Sequence, residues 1–339
     1  MKAAVFYGKG DLRVEEAVKP VAAKGEILIK VRACGVCGTD VHIFSGDEGA
    51  AKTTPPVILG HEFSGEVEET GEGVVDFRKG DRVCVDPNVL CGECFYCKSA
   101  LGHFCEHMQG IGTTVNGGFA QYVAVPAKQA YKLADGTSFE EGAMSEPVAC
   151  CLHGIDMCNI RPGDDVAVIG GGMIGLIMLQ LARLKGAARV VLIEPVSQKR
   201  ETALKLGAFM TVDPVKEDAK AAIARAGIKR LSCVIECVGL VSTIEQAIDI
   251  AGKAATVMMF GLTKPEAELK VKPFTVFQKE IVLKSSFINP YTQGRALNLI
   301  NSKALDVSSM VAEVVPLEKL SAVLSDASLR AKGKFIVRP

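Results

Sequence analysis

Residues 166–194 read VAVIGGGMIGLIMLQLARLKGAARVVLIE, and this stretch decides the fold of the second half of the chain. An apolar, strand-like run ends in the pattern G-x-G-x-x-G, a helical pattern follows, and a second apolar run ends in an acid. In this order of elements, a glycine-rich turn binds the pyrophosphate of a dinucleotide at a helix N-terminus. The stretch therefore predicts a doubly wound parallel sheet that binds a nucleotide, and a glycine-rich turn without a nucleotide is the alternative.

The residues expected to contact this nucleotide belong to the turn and to the ends of nearby strands. They are Gly170, Gly172, Met173, Ile174, Gly175, Glu194, Lys199 and Val238. Glu194 would accept hydrogen bonds from the adenosine ribose and repel a 2′-phosphate, which favours NAD over NADP. Lys199 and Arg200 could partly offset that repulsion, so NADP stays open as the alternative.

On either side of this stretch the organisation of the chain changes. Strand-like and helical patterns alternate from about residue 166 to residue 283, which predicts a parallel sheet of six strands. The first 85 residues or so instead show short β-branched runs separated by Gly, Pro and Asp, and these predict a compact, partly open barrel. The last 50 residues or so have too little apolar sequence for a separate domain, and we expect them to complete the first one.

Composition limits the classes of partner. The chain has 339 residues, with 39 Lys and Arg against 39 Asp and Glu, so no strong field would attract nucleic acid or an anionic membrane. No signal peptide and no apolar span of about 18 residues is found, and a cytoplasmic protein with small-molecule partners is expected. The 12 Cys are then expected to be reduced, and their clustering favours metal ligation over disulfides.

Four of these thiols lie within fifteen residues, as Cys91-x-x-Cys94-x-x-Cys97-x7-Cys105. Zinc takes four thiolates in a tetrahedral arrangement that leaves no position for a substrate. This loop therefore predicts a closed, structural zinc site. Free or disulfide-bonded cysteines and an iron–sulfur cluster are the alternatives.

A second metal site is indicated by residues 35–62, GVCGTDVHIFSGDEGAAKTTPPVILGHE, which combine a thiol, imidazoles, a hydroxyl and carboxylates. Five motifs, this stretch included, follow one another along nearly the whole chain. They are GVCGTDVH at 35–42, GHE at 60–62, the four-cysteine loop, EP at 146–147 and the glycine-rich turn. In this order they resemble the zinc-dependent medium-chain dehydrogenases, in the branch that includes polyol, butanediol and threonine dehydrogenases.

The resemblance implies an α/β protein with two domains and two zinc ions. Residues 1–150 and 286–339 would form a GroES-like, partly open β-barrel catalytic domain, and residues 151–285 a Rossmann NAD-binding domain. Cys37 and His61 would bind the catalytic zinc, with Glu62 and Glu146 as ligands or near ligands. The four-cysteine loop would bind the structural zinc. A homodimer or homotetramer is also implied.

Two further residues receive roles from the same resemblance. Thr39 would hydrogen-bond the alcohol, and His42 would carry its proton outward; a solvated surface histidine is the alternative for His42. Cys34 forms another Cys-x-x-Cys pair with Cys37, and a redox disulfide there is less favoured because a thioredoxin-like context is missing.

The expected activity is reversible hydride transfer between a secondary alcohol and NAD. Sorbitol-type enzymes carry a Phe-Arg-Tyr element where this chain has Phe287-Ile288-Asn289. The Ile288 side chain cannot donate a hydrogen bond, so a polyol would lose one expected hydrogen-bond partner. This favours less polar secondary alcohols as substrates. An NADPH-linked reductase of ketones or aldehydes and a noncatalytic nucleotide-binding relative are the alternative functions.

Overall fold

The computed structural model describes residues 1–47 and 52–339, which form two compact units. The first unit contains Met1–Ala149 and Pro290–Pro339, and the second contains Cys150–Asn289. The metal-binding stretch predicted at residues 35–62 is therefore described except for residues 48–51, which lie outside the described part of the chain. None of the helices in the described part has the length and hydrophobicity that crossing a bilayer requires.

The first unit consists mainly of β-strands. Its strands are β1 (Lys2–Gly8), β2 (Asp11–Glu16), β3 (Glu26–Gly35), β4 (Val57–Ile58), β5 (Glu62–Thr70), β6 (Arg82–Val85), β7 (Asn88–Val89), β8 (Gln109–Gly110), β9 (Tyr122–Pro126), β10 (Ala130–Lys132), β17 (Val311–Pro316) and β18 (Lys334–Arg338). Its helices are α1 (Gly38–Phe44), α2 (Phe95–Lys98), α3 (Phe139–Ala143), α4 (Ser145–Met157, which continues into the second unit), α10 (Gln293–Asn301), α11 (Leu320–Ser325) and α12 (Ala327–Arg330).

Strand β3 is central to the first unit. It pairs antiparallel with β5, β9 and β18, within a seven-stranded sheet whose main order is β10-β6-β5-β3-β18-β17. Strands β17 and β18 come from the C-terminal segment, which therefore contributes two strands to this sheet. A three-stranded sheet, β2-β1-β4, forms beside it, and the core between the strands contains the fully buried Phe63 and Phe119.

The second unit alternates strands with helices. Its strands are β11 (Asp165–Ile169), β12 (Arg189–Ile193), β13 (Met210–Val212), β14 (Cys233–Glu236), β15 (Thr256–Met259) and β16 (Val282–Ser285). Its helices are α5 (Met173–Leu184), α6 (Ser197–Lys205), α7 (Ala219–Arg225), α8 (Val241–Ile250) and α9 (Pro273–Lys279).

The six strands of the second unit form one sheet in the order β13-β12-β11-β14-β15-β16, and every neighbouring pair is parallel. The prediction of six parallel strands is confirmed. Apolar side chains such as Ala167, Val191, Val234 and Val257 are fully buried in this sheet, as strands covered on both faces require. The order reverses at β11, so the carboxyl ends of β11 and β14 mark the switch point where dinucleotides bind.

Candidate active site and metal centres

Strand pairing brings the predicted zinc ligands of the first unit together. Gly35 at the end of β3 is in register with Glu62 at the start of β5, and Cys37 follows β3 by two residues. His61 directly precedes β5. The turn that delivers it needs glycine at Gly60, whose φ is +95° and whose Cβ would lie 2.8 Å from the Cys34 Sγ.

Cys37, His61 and Glu62 each offer a ligand atom, and these atoms all lie within 4.8 Å of one another. Ligands bound at roughly 2.0 to 2.3 Å from zinc lie about 3.3 to 3.8 Å apart in a tetrahedral site, so the cluster can close on a zinc ion with small adjustments. Glu62 is fully buried and its Oε1 has no hydrogen-bond partner. A buried carboxylate oxygen without a partner is costly, and a metal ion would supply the missing partner.

Asp40 supports this cluster from α1. Its Oδ2 accepts a hydrogen bond of 2.8 Å from the Cys37 backbone N–H, and its Oδ1 lies 3.4 Å from the His61 Nδ1. Burial by itself lowers the pKa of His61, but the negative charges of Asp40 and Cys37 raise it well above its ordinary value. The site therefore favours positive charge, which a metal ion supplies in place of a proton.

Lys334 is part of the same cluster, and sequence reasoning missed it. Its Nζ contacts the Glu62 Oε2, and the two side chains are 3% and 0% exposed. Gly35 lies between them: a Cβ there would come within 2.2 Å of the Glu62 Oε2 and 2.7 Å of the Lys334 Cε. The only signal in the sequence is a lysine that opens the apolar strand KFIV, where every residue is buried.

Thr39 and His42 lie on α1, next to Cys37. Their spacing of three residues places them on one face of the helix, and both are half-buried. The His42 side chain is 43% exposed, and its Nδ1 lies 3.5 Å from the Asp47 Oδ2. A group that exchanges protons with solvent needs such exposure, and the relay role of His42 stays a prediction.

Glu146 is buried in the first turn of α4 and is not a member of the group of three within the described residues. The turn that carries it is fixed by a buried network. The Ser145 hydroxyl donates to the Gly142 carbonyl at 2.7 Å, and the Gln293 amide donates to the Ser145 Oγ at 2.8 Å. The role of Glu146 as a ligand or near ligand stays a prediction.

The four-cysteine loop holds all its thiols together. Their Sγ atoms lie within 4.8 Å of one another, and the Sγ atoms of Cys91 and Cys97 are 3.9 Å apart, close to the edge of about 3.8 Å in a tetrahedral zinc–thiolate site. Backbone N–H groups of Cys91, Cys94 and Cys97 donate to sulfur at 3.4 to 3.5 Å. Backbone hydrogen bonds, first of all from the Cys97 N–H, lower the pKa of Cys94 to about 6, whereas burial and the neighbouring thiols raise the pKa of Cys97 to about 12. The crowded thiols thus oppose full ionisation, and a bound cation such as zinc would offset that repulsion.

The glycine-rich turn of the second unit fits a pyrophosphate. It joins β11 to α5, whose N-cap is Gly172. A Cβ at Gly172 would point into open space, so the bare backbone leaves room for phosphate oxygens at the helix N-terminus. A Cβ at Gly175 would lie 1.8 Å from the Gly170 carbonyl oxygen, so only glycine allows this close packing of helix on strand. Met173 and Ile174 form the first turn of α5.

The Glu194 carboxylate binds backbone N–H groups of this protein, in addition to the ribose contact that the sequence predicts. It is 5% exposed, its Oε2 accepts a hydrogen bond of 2.6 Å from the Gly171 N–H, and its Oε1 accepts one of 2.9 Å from the Val196 N–H. Glu194 therefore fixes the glycine-rich turn, and because a carboxylate has about four acceptor positions it can still accept from a ribose. Sequence reasoning did not foresee this second role.

The cations after Glu194 differ in their surroundings. Arg200 donates to the Glu194 carbonyl at 2.7 Å and lies 3.2 Å from the Asp213 Oδ2, so this guanidinium is already engaged. Lys199 is half-buried on α6. Val238 follows β14, is 43% exposed, and has its Cγ2 2.8 Å from where a Gly170 Cβ would lie.

Comparison with known proteins adds to this geometry. Residues 23–135 match the family model of the alcohol dehydrogenase GroES-like domain, and residues 173–302 match that of the zinc-binding dehydrogenases. The chain is 33% identical to D-arabinitol dehydrogenase 1 of Uromyces fabae, covering 99% of this chain and 97% of that protein. It is 35% identical to a sorbitol dehydrogenase of Halalkalibacterium halodurans, covering 90% of this chain and 89% of that protein.

A solved structure resembles the whole chain. A zinc-binding dehydrogenase from Sinorhizobium meliloti 1021, bound to NADP, superposes with a TM-score of 0.95 at 38% identity. The match covers 100% of this chain and 99% of that one. The similarity therefore extends over both units.

Proposed function

The chain belongs to the zinc-dependent medium-chain dehydrogenases, and from this premise we propose that it oxidises a secondary alcohol of a polyol or diol to a ketone, reversibly, with NAD. The family and the fold class expected from the sequence are confirmed, as is an oxidoreductase that uses a nicotinamide cofactor. The observation that carries the proposal is the convergence of Cys37, His61 and Glu62 on one small volume. A noncatalytic relative would have no use for this set.

In this proposal the first unit acts as the catalytic zinc domain and the second as the nucleotide-binding domain. Cys37 and His61 hold the catalytic zinc, and Glu62 and Glu146 are its exchangeable or near ligands. The four-cysteine loop holds the structural zinc. When bound, zinc supplies a Lewis acid that lowers the pKa of the alcohol hydroxyl, and the nicotinamide supplies the redox chemistry.

The residues around the alcohol orient it and remove its proton. The Thr39 hydroxyl hydrogen-bonds the substrate hydroxyl and, as it accepts that proton, releases its own proton towards His42, so that the threonine stays neutral. His42, three residues along the same helix, passes the proton to solvent, and its 43% exposure supports this role. The Asp47 Oδ2 lies 3.5 Å from the His42 Nδ1 and can orient the imidazole ring.

The choice of cofactor depends on Glu194. A carboxylate at the end of the second strand of the sheet repels a 2′-phosphate, and Arg200 is already paired with Asp213, which together support NAD. The second candidate function is an NADPH-linked ketone reductase. The similar dehydrogenase of S. meliloti, solved with NADP, is the observation that favours it.

The proposed substrate class rests on the similar proteins and on one residue, Ile288, at which this chain differs from sorbitol-type enzymes. The arabinitol and sorbitol dehydrogenases support a polyol, whereas the aliphatic Ile288 supports a less hydroxylated alcohol such as a diol. Both share a secondary hydroxyl group next to another hydroxyl group. We therefore keep the vicinal diol unit as the common substrate feature.

We also propose a homodimer or homotetramer in the cytoplasm. Strand β16 lies at the edge of its sheet, and Phe274 and Phe277 on the preceding helix α9 are 70% and 77% exposed, so this edge offers an apolar surface to a second copy. The structure pairs none of the 12 cysteines in a disulfide, which supports a reducing compartment.

A direct assay tests the function. Zinc-loaded protein is mixed with NAD or NADP and with sorbitol, arabinitol, 2,3-butanediol or a primary alcohol, and reduced cofactor is followed by absorbance. We expect turnover with a polyol or a diol and a preference for NAD. Absence of turnover with every secondary alcohol and both cofactors would contradict the proposal, and a preference for NADP would favour the second candidate.

A further inference from the structure

Glu236, the last residue of β14, is a fully buried acid that the proposed chemistry does not use. Its Oε1 accepts hydrogen bonds from the backbone N–H groups of Val238 at 2.7 Å and Gly239 at 3.0 Å, and it lies 2.8 Å from the Thr243 hydroxyl. These donors all belong to the loop between β14 and α8 and to the start of α8. A single carboxylate therefore fixes the path of that loop.

The backbone of Glu236 fixes the neighbouring strand as well. Its carbonyl accepts hydrogen bonds of 2.9 Å from the N–H groups of Phe260 and Gly261, which follow β15. A Cβ at Gly261 would lie 2.2 Å from the Gly239 N and 2.8 Å from the Glu236 Oε2, so the two loops are in direct contact around this acid. Hydrogen bonds to Glu236 thus join the ends of β14 and β15.

Burying an acid at this position is costly unless its oxygens are satisfied. The backbone N–H groups of Val238 and Gly239 can only donate, and the Oε1 of Glu236 is the acceptor that both of them use. An apolar residue here would leave these two N–H groups without that acceptor, which is costly for each group that stays buried. The acid therefore contributes to the shape of the loop through these hydrogen bonds.

Sheet order indicates which part of the cofactor this loop faces. Glu194, the proposed partner of the adenosine ribose, follows β12, which lies on one side of β11. Strand β14 lies on the other side of β11, and the dinucleotide crosses the sheet at this switch point with its pyrophosphate on the glycine-rich turn. The loop after β14 therefore lies on the side of the nicotinamide half. Val238 also packs against Gly170 of that turn.

We propose that Glu236 is a positioning residue for the nicotinamide half of the cofactor, which it serves by fixing the Val238–Gly239 backbone. This inference rests on the proposed function, because it requires that the second unit binds a nicotinamide dinucleotide. Glu236 touches neither cofactor nor substrate in this role. It acts through the loop.

The test compares binding of NADH with binding of ADP, measured by calorimetry on the zinc-loaded full chain. ADP contains the adenosine and pyrophosphate but lacks the nicotinamide riboside. Glu236→Gln keeps the size of the side chain and removes the charge, and Thr243→Val removes one hydroxyl with little change in volume. Asp165→Asn is the matched control, since Asp165 pairs with Arg189 at 2.6 Å at the opposite, amino end of the same sheet.

For Glu236→Gln we expect NADH affinity to fall about tenfold, as loss of charge-assisted hydrogen bonds implies, with ADP affinity within about twofold of wild type. The KM for NAD should rise, while the KM for the alcohol changes little. Thr243→Val should show a smaller loss of NADH affinity, again with little change in ADP affinity. This variant provides the test if Glu236→Gln does not fold. Asp165→Asn should lower the melting temperature without changing the ratio of NADH to ADP affinity.

Two results would overturn the inference. Equal weakening of NADH and ADP in both variants would mean that Glu236 only stabilises the unit. Unchanged NADH affinity in a folded variant would mean that the loop does not depend on it. Wild-type protein that binds neither NADH nor NADPH would instead refute the proposed function, and this inference with it.

Discussion

The Nζ of Lys334 contacts the Oε2 of Glu62 directly above the backbone of Gly35, and neither residue is more than 4% exposed. Burial alone lowers the pKa of Lys334, but Glu62 and Cys37 raise it above its ordinary value, so the lysine stays charged. One carboxylate oxygen of Glu62 is thereby neutralised, and the other has no hydrogen-bond partner. Such an acid can bind zinc through one oxygen and release it.

Lys334→Met is expected to lower the free energy of unfolding by about 3 to 5 kcal/mol, because it leaves the Glu62 carboxylate buried and uncompensated. Urea denaturation of the metal-free protein measures this. Lys79→Met is the control, because Lys79 pairs with Glu68 at 3.3 Å on the exposed surface and should contribute less than about 1 kcal/mol. Equal losses in the two variants would refute a special role for the buried pair.

The two zinc sites should be separable by single substitutions. Cys37→Ser is expected to reduce zinc from about two ions per chain to about one and to abolish turnover, while the melting temperature changes little. Cys97→Ser should also leave about one zinc but should lower the melting temperature, because the loop loses its cross-link. Metal analysis and calorimetry measure both. Wild-type protein with one zinc or none would contradict the two-site assignment.

Replacing Glu194 should change cofactor choice and binding strength together. Glu194→Gln removes the negative charge, so the preference for NAD over NADP in kcat/KM is expected to fall about tenfold or more. Glu194→Ala should relax the preference and in addition weaken both cofactors, since the N–H groups of Gly171 and Val196 lose their acceptor. An unchanged preference in both variants would show that the ribose is recognised elsewhere.

Glu141 provides a pH-dependent contribution to stability. Burial raises its pKa, but hydrogen bonds from Lys303 and from the Ser138 N–H give a net lowering below the ordinary value. A lowered pKa means that the stabilisation is complete above the unfolded-state pKa of about 4.3 and is lost as the pH falls through it and through the lower folded-state pKa.

Glu141→Gln should therefore lower stability by about 1 kcal/mol at neutral pH and by less at pH 3. Urea denaturation at several pH values measures this. Glu217→Gln, at an exposed pair with Arg225, is the control and should show little effect at either pH. A constant difference between wild type and Glu141→Gln across pH would contradict the assignment.

The parts of the site that depend on local spacing could be predicted from the sequence. The four cysteines lie three to fourteen residues apart, and they and the turn Gly170–Gly175 take their geometry from short segments. Glycine and the adjacent elements determine the conformation of these segments. Sequence also predicted the six-stranded sheet, because central strands such as β11 and β12 are continuous apolar runs that alternate with helical patterns.

What the sequence could not predict depends on strand register over long distances. Lys334 reaches Glu62 across 272 residues, because β18 and β5 both pair with β3 near Gly35. Glu236 appears in the sequence as one acid in an apolar strand, and its hydrogen bonds become visible only when the loop folds back over it. In both cases the partner of the acid depends on where the folded backbone places it. The pattern of residue types along a short segment does not contain that information.

The order of segments in the first unit has a consequence for biosynthesis. The ribosome makes Glu62 early and Lys334 272 residues later, a delay of roughly 15 to 55 s at 5 to 20 residues per second. The second unit, continuous from Cys150 to Asn289, emerges complete during that interval. We therefore expect the second unit to fold before the first unit is complete. Until β18 is synthesised, the first unit lacks this strand of its sheet, and Glu62 lacks its partner Lys334.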